Sequence, residues 1–118
     1  HLQNVPLVNG VPVLTALLPN ADAETLRHMT DRFRQRYPSG VVVLGSAFQD
    51  RPVLIAAITD DLIKRGLQAG NLVKSIAGVI GGSGGGRPNL AQAGGKDPGR
   101  LSEALDQVIP WVKNALTA

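Results

Sequence analysis

The chain has 118 residues, within the ordinary range of one domain, and its 43% hydrophobic and 18% charged residues supply a core and exclude a disordered chain. Twelve Lys and Arg against nine Asp and Glu give a net charge of +3, too mild by itself to indicate nucleic acid, and the lack of cysteine excludes disulfides, thiolate nucleophiles, iron-sulfur clusters and the common structural zinc sites. Aromatic side chains are confined to Phe33, Phe48, Tyr37 and Trp111, so the core is expected to be aliphatic, without a base-stacking platform.

The chain opens on His1 rather than Met, which reads as a piece of a longer protein or as a residue left by cloning. In residues 11–18, Val11, Val13, Leu14, Leu17 and Leu18 form a β-favouring run bounded by Pro12 and Pro19, read as an edge strand because proline cannot donate to a ladder. Asn20-Ala21-Asp22 then offers capping oxygens to an amphipathic helix whose apolar stripe is Leu26, Met29, Phe33 and Tyr37, ending at Pro38. Arg27, Arg32, Arg34 and Arg36 fall on both sides of that stripe and read as a solvated face. Val41-Val42-Val43-Leu44 and residues 53–58 are nearly continuous apolar runs around a turn at Gln49-Asp50-Arg51-Pro52, which predicts a hairpin buried on both faces.

Asp60 or Asp61 caps a short helical turn through Leu62, Ile63, Lys64 and Arg65. A helix carrying Leu72, Val73, Ile76, Ala77, Val79 and Ile80 follows and stops at Gly81-Gly82, where glycine closes a helix in the left-handed conformation. Asp97-Pro98 opens the last helix, with Leu101, Leu105, Val108 and Val112 on one stripe, Trp111 as a packing residue and Pro110 as a kink or break. The predicted fold is α/β: a small mixed sheet of three to four strands packed with helices, in the order βαββα, then a glycine-rich loop and a C-terminal helix. No apolar run approaches the roughly 20 residues of a membrane span and no signal segment opens the chain, so a soluble protein with no membrane partner is expected.

The main signal is Gly81-Gly82-Ser83-Gly84-Gly85-Gly86-Arg87-Pro88-Asn89-Leu90-Ala91-Gln92-Ala93-Gly94-Gly95-Lys96-Asp97-Pro98. It is not a Walker A loop, because Arg87-Pro88 stands where Lys and Ser or Thr are required, and it is not a dinucleotide fingerprint, because a helix precedes it and Arg87 occupies the sixth place. Gly81-Gly82-Ser83-Gly84-Gly85 matches the nucleophile elbow in letters only; His1 and His28 are the only histidines and the chain is too short for such a hydrolase. With no second histidine at ligand spacing, His28 is not read as a metal ligand. A run of unhindered backbone N–H groups followed by Arg87, Lys96 and Arg100 suits phosphate oxygens, while the plain alternative is a closely packed loop with solvated cations.

That segment resembles the carboxy-terminal signature of bacterial alanyl-tRNA synthetases in its glycine run, its Arg-Pro pair, its Ala-Gln-Ala-Gly-Gly string and the Lys-Asp-Pro that follows, and Ala69-Gly70-Asn71-Leu72-Val73-Lys74 upstream is similar to the same family. The resemblance covers essentially the whole chain and implies the globular C-terminal domain, with a fold shared by the domain that accompanies DHH phosphoesterases. Those phosphoesterases typically place His after the glycine run, where this chain has Arg87, which argues against their activity. The resemblance implies a cytoplasmic, non-catalytic fragment that binds tRNA(Ala) at its outer corner and touches the other synthetase domains. It implies no cofactor here, ATP and zinc belonging to the missing parts. The expected nucleic-acid contacts are Gly84, Gly85, Gly86, Arg87, Gln92, Lys96 and Arg100, with Lys64, Arg65 and Lys74 as a basic rim and no catalytic residue. Two alternatives stay open: a module of a free-standing alanyl-tRNA editing protein, and an interaction domain that pairs with a neighbouring domain or a second copy as a homodimer.

Overall fold

The computed structural model describes residues 5–117, and His1 lies outside them. Two strands, β1 (Leu7–Val8) and β2 (Val11–Pro19), are joined by Asn9-Gly10, whose positive φ values of 52° and 84° are those of a tight two-residue hairpin turn. Helix α1 (Ala23–Arg36) leads to β3 (Val41–Phe48), and Gln49-Asp50, both at positive φ, turns the chain into β4 (Arg51–Ile58). Helices α2 (Asp60–Lys64) and α3 (Ala69–Ala77) follow, then strands β5 (Ser83–Gly86) and β6 (Leu90–Gly94), and finally α4 (Leu101–Asp106) and α5 (Val108–Thr117).

The six strands lie in one sheet in the order β1-β2-β3-β4-β6-β5. Only β2 and β3 run parallel, with Val13 opposite Val41, and α1 makes that crossover; every other neighbour pair is antiparallel. The period of two along β3 and β4 sends Val41, Val43, Leu54, Ala56 and Ile58 to the face covered by α3, α4 and α5, and Val42, Leu44, Ile55 and Ala57 to the face covered by α1. Burial on both faces explains why both strands read as continuous apolar runs. Polar groups that this burial strands are satisfied: the Ser46 hydroxyl, fully buried, accepts from the Ala21 N–H at 2.7 Å, and the Thr59 hydroxyl accepts from the Gly40 N–H at 3.0 Å.

Three expectations are corrected. The sheet has six strands rather than three to four, because the glycine segment is a β-hairpin and not a loop, and because Leu7–Val8 adds a short strand at the other end. That addition also means β2 is an edge strand only beyond Pro12. The C-terminal helix is broken, as expected from Pro110, into two helices, preceded by a 3-10 turn at Pro98–Arg100. In a continuous helix the Pro110 ring would strike the carbonyl of residue 106, and the helix breaks at Gln107 instead. Neither Asp60 nor Asp61 caps α2: Thr59 is its N-cap, and Asp61 accepts from the Thr59 hydroxyl at 2.6 Å. Asp97 does stand at the N-cap of the 3-10 turn that opens the last helix, with Pro98 following it, although its side chain makes no capping bond. The helix boundary at Gly81 is as read, with φ 68° in the left-handed region after a 3-10 turn at Gly78–Ile80, and Trp111 packs partly buried against the larger core.

Asp22 is the N-cap of α1, its carboxylate accepting from the Thr25 N–H at 2.9 Å. The Thr25 backbone bond, then the Thr25 hydroxyl, hold the Asp22 carboxyl below the ordinary 3.8, and the hydroxyls of Ser39 and then Thr59 do the same for Asp61. A carboxyl whose folded pKa is depressed contributes stability that is present above its unfolded value and lost as pH falls through the folded one. Urea midpoints measured from pH 5 down to pH 2 will therefore fall below about pH 4, and they will fall less steeply in D22N/D61N, whose amides keep an acceptor but cannot titrate.

Candidate nucleic-acid interface

Helix α1 lies over β3 and β4 and leaves the same face of β6 and β5 uncovered. Between its flank and the glycine hairpin runs an open groove of about 400 Å³. Its floor is Ile55, Leu90 and Gln92, one wall is Arg27 of α1, and the other is Gly85, Gly86, Arg87 and Asn89. No carboxylate lines it. Among the described residues, the side chains of Arg27, Arg87, Asn89 and Gln92 make no hydrogen bond or ion pair, so two guanidinium groups and two amides face the groove uncommitted.

The backbone around Arg87 is pinned while its side chain is free. Arg87 N–H donates to Leu90 O at 3.0 Å and closes the turn, Ile58 N–H donates to Asn89 O at 3.2 Å, and Ala69 N–H at the start of α3 donates to Pro88 O at 2.8 Å. The turn is thereby tied to its own hairpin, to β4 and to α3.

The glycines of the hairpin divide by what a methyl group would meet. At Gly84 a Cβ would collide with the Ala93 side chain and lie 2.6 Å from Ala93 Cα; at Gly86, which also sits at φ 154°, it would lie 2.7 Å from Ala91 Cα. Gly82 is closed off by the Gly94 carbonyl, with Gly95 Cα at 2.5 Å. These positions are glycine because β5 and β6 approach too closely for a side chain. Gly85 is different: a Cβ there would meet only Lys74 Cε, at 3.3 Å, the far end of a flexible chain. Gly85 is thus the one member of Gly84, Gly85 and Gly86 whose bareness the hairpin does not demand.

Of the residues expected from sequence, the structure brings Gly85, Gly86, Arg87 and Gln92 into the groove and lays Lys74 against β5. Lys96 stands beyond the other end of β6, in a separate depression with Gln49, Asp50, Arg51 and Gly95. Arg100 is occupied by Glu103, with Nη2 to Oε2 at 2.6 Å, and that partner raises its pKa. Lys64 and Arg65 close α2 outside the groove. Sequence reasoning missed Arg27 and Asn89. Asn89 sits inside the signature and could have been included; Arg27 is 60 positions from Arg87, and only the crossover of α1 over the sheet brings the two together. Among the described residues there is no cluster of three potential metal ligands, and no helix is long and apolar enough to cross a membrane.

The chain matches the DHHA1 domain family over residues 10–114. The alanine–tRNA ligase of Geobacillus kaustophilus is 54% identical over 115 residues, 97% of this chain and 13% of that protein, and the ligase of Pelotomaculum thermopropionicum is 53% identical over 109 residues, 92% of this chain and 12% of that one. The chain therefore spans about 13% of the length of such relatives. The C-Ala domain from Aquifex aeolicus alanyl-tRNA synthetase superposes with a TM-score of 0.80 at 27% identity, covering 98% of this chain and 99% of that one, so the match is to C-Ala and not to a catalytic domain. A DHH domain from a member of a ribosomal protein family shares the fold, at a TM-score of 0.61 and 18% identity over 91% of this chain and 26% of that one.

Proposed function

The chain belongs to the DHHA1 domain family, and from that premise we propose that it is the C-terminal domain of an alanyl-tRNA synthetase, binding tRNA(Ala) at its outer corner and presenting it to aminoacylation and editing domains elsewhere in a cytoplasmic enzyme. ATP, alanine and zinc belong to those other domains. The observation that carries the reading is the acid-free groove, lined by Arg27 of α1 and by Arg87 beside the bare backbone of Gly85 and Gly86. Guanidinium groups with no protein partner are free to neutralise phosphates, and a strand without side chains lets a bulky polymer approach the backbone. The groove's lining holds no carboxylate, imidazole, hydroxyl or thiol to serve as nucleophile or general acid–base.

Affinity of this chain for intact tRNA(Ala), for a tRNA lacking its corner loops and for single-stranded DNA, each at low and moderate salt, tests the proposal. Tight binding confined to the intact tRNA supports it, and R87A/K96A will then weaken binding and flatten the dependence on salt by about 0.7–0.9 for each phosphate left without its cation. Equal binding to all three that collapses with salt marks a general basic surface. No binding at all turns the reading to an interaction domain.

A further inference from the structure

We propose that Arg27 and Arg87 form a clamp on one phosphodiester of the bound RNA, so that a residue outside the glycine signature supplies half of the grip. This rests on the tRNA-binding reading and adds to it a residue on a different element.

The two arginines reach the same volume, because both line one groove of about 400 Å³, and they enter it from different elements, Arg27 from α1 and Arg87 from the turn between β5 and β6. Neither is held by a carboxylate, whereas Arg34 on the same helix is paired with Asp31 at 2.5 Å and Arg100 with Glu103. Both backbones are fixed in advance. Arg27 follows Leu26, which is fully buried in the α1 core, and Arg87 sits in the turn tied down at Arg87, Pro88 and Asn89. A planar guanidinium presents parallel N–H donors that match two oxygens of a phosphate, so a pair entering one groove from two elements grips one phosphate with little ordering beyond the two side chains themselves. The amides of Gln92 and Asn89 between them offer donors to neighbouring oxygens, and the absence of acidic side chains from the lining leaves the charge of the pair unopposed. Arg32 serves as the natural control: it lies on the same helix, is exposed and cationic, and does not line the groove.

The test is binding of tRNA(Ala) to the wild-type chain and to R27A, R27K, R32A, R87A and R27A/R87A, across a salt series, with thermal melts to verify that each variant folds. R27A is expected to weaken binding about tenfold and to lower the salt slope by about one phosphate. R27K will keep most of the slope while losing affinity, and R32A will change little. Because one phosphate is shared, R27A/R87A will cost less than the product of the two single losses. If R27A behaves like R32A, or if the two single losses simply multiply, the clamp is overturned while tRNA binding stands. Absence of tRNA binding by the wild-type chain overturns the tRNA reading itself, and the clamp with it.

Discussion

Replacing Gly82 or Gly84 with alanine is expected to cost about 3 kcal/mol and to lower the melting temperature on the order of 10 °C. The new methyl group meets backbone, the Gly94 carbonyl in one case and Ala93 Cα in the other, so no rotamer change relieves it and the strands must separate. Separation of β5 from β6 also uncovers α3, whose first turn packs so closely on the hairpin that a Cβ at Gly70 would lie 2.9 Å from Gly86 O. G85A supplies the contrast. Lys74 can swing aside, so its melting temperature will stay near that of the wild type. A loss of tRNA affinity in a folded G85A chain would then report on the approach of ligand to bare backbone rather than on the fold. Thermal melts of the three variants, followed by binding for those that fold, check each step.

Truncating Phe33 is expected to be as damaging. Its ring is 2% exposed, stacks on Tyr37 with centroids 4.8 Å apart, and lies so close to Gly40 that a Cβ there would approach it to 2.9 Å. F33A removes the largest side chain of the smaller core and leaves a cavity between α1 and the sheet, costing about 3–5 kcal/mol. If the groove binds tRNA as proposed, loosening α1, which carries Arg27, will also weaken that binding at temperatures where the chain is still folded. A denaturant midpoint and a binding curve on one preparation separate the two effects, and F33L, which refills most of the cavity, is expected to recover much of both.

Sequence is legible in this chain where one local rule decides. The stripe Leu26, Met29, Phe33 and Tyr37 and the oxygens of Asp22 specify α1, and the apolar runs on either side of Gln49-Asp50 specify a central hairpin. The hairpin of β5 and β6 is not legible as strand, because Ser83-Gly84-Gly85-Gly86 has almost no side chains to alternate and glycine is ordinarily depleted from strands. Its partner β6 does alternate, with Ala91 and Ala93 buried and Gln92 exposed, but five residues of weak contrast flanked by glycines give little signal alone. Asn9-Gly10 is a genuine turn signal, hidden because the strand before it is only two residues long. The signature locates one wall of the groove. The other depends on where α1 comes to rest across the sheet, which no short window of sequence encodes.

A strand made almost wholly of glycine has a further consequence for how this fold opens. β5 contributes no apolar side chain to either core, so it is held chiefly by its ladder to β6 and by packing on α3. The amides of residues 83–86 will accordingly exchange with solvent through local opening, well before those of β3 and β4, whose side chains are buried on both faces. A ligand that requires the closed hairpin binds with an affinity scaled by the closed fraction. Small changes in how α3 packs on β5 thereby become a means of tuning affinity without altering the groove's own side chains.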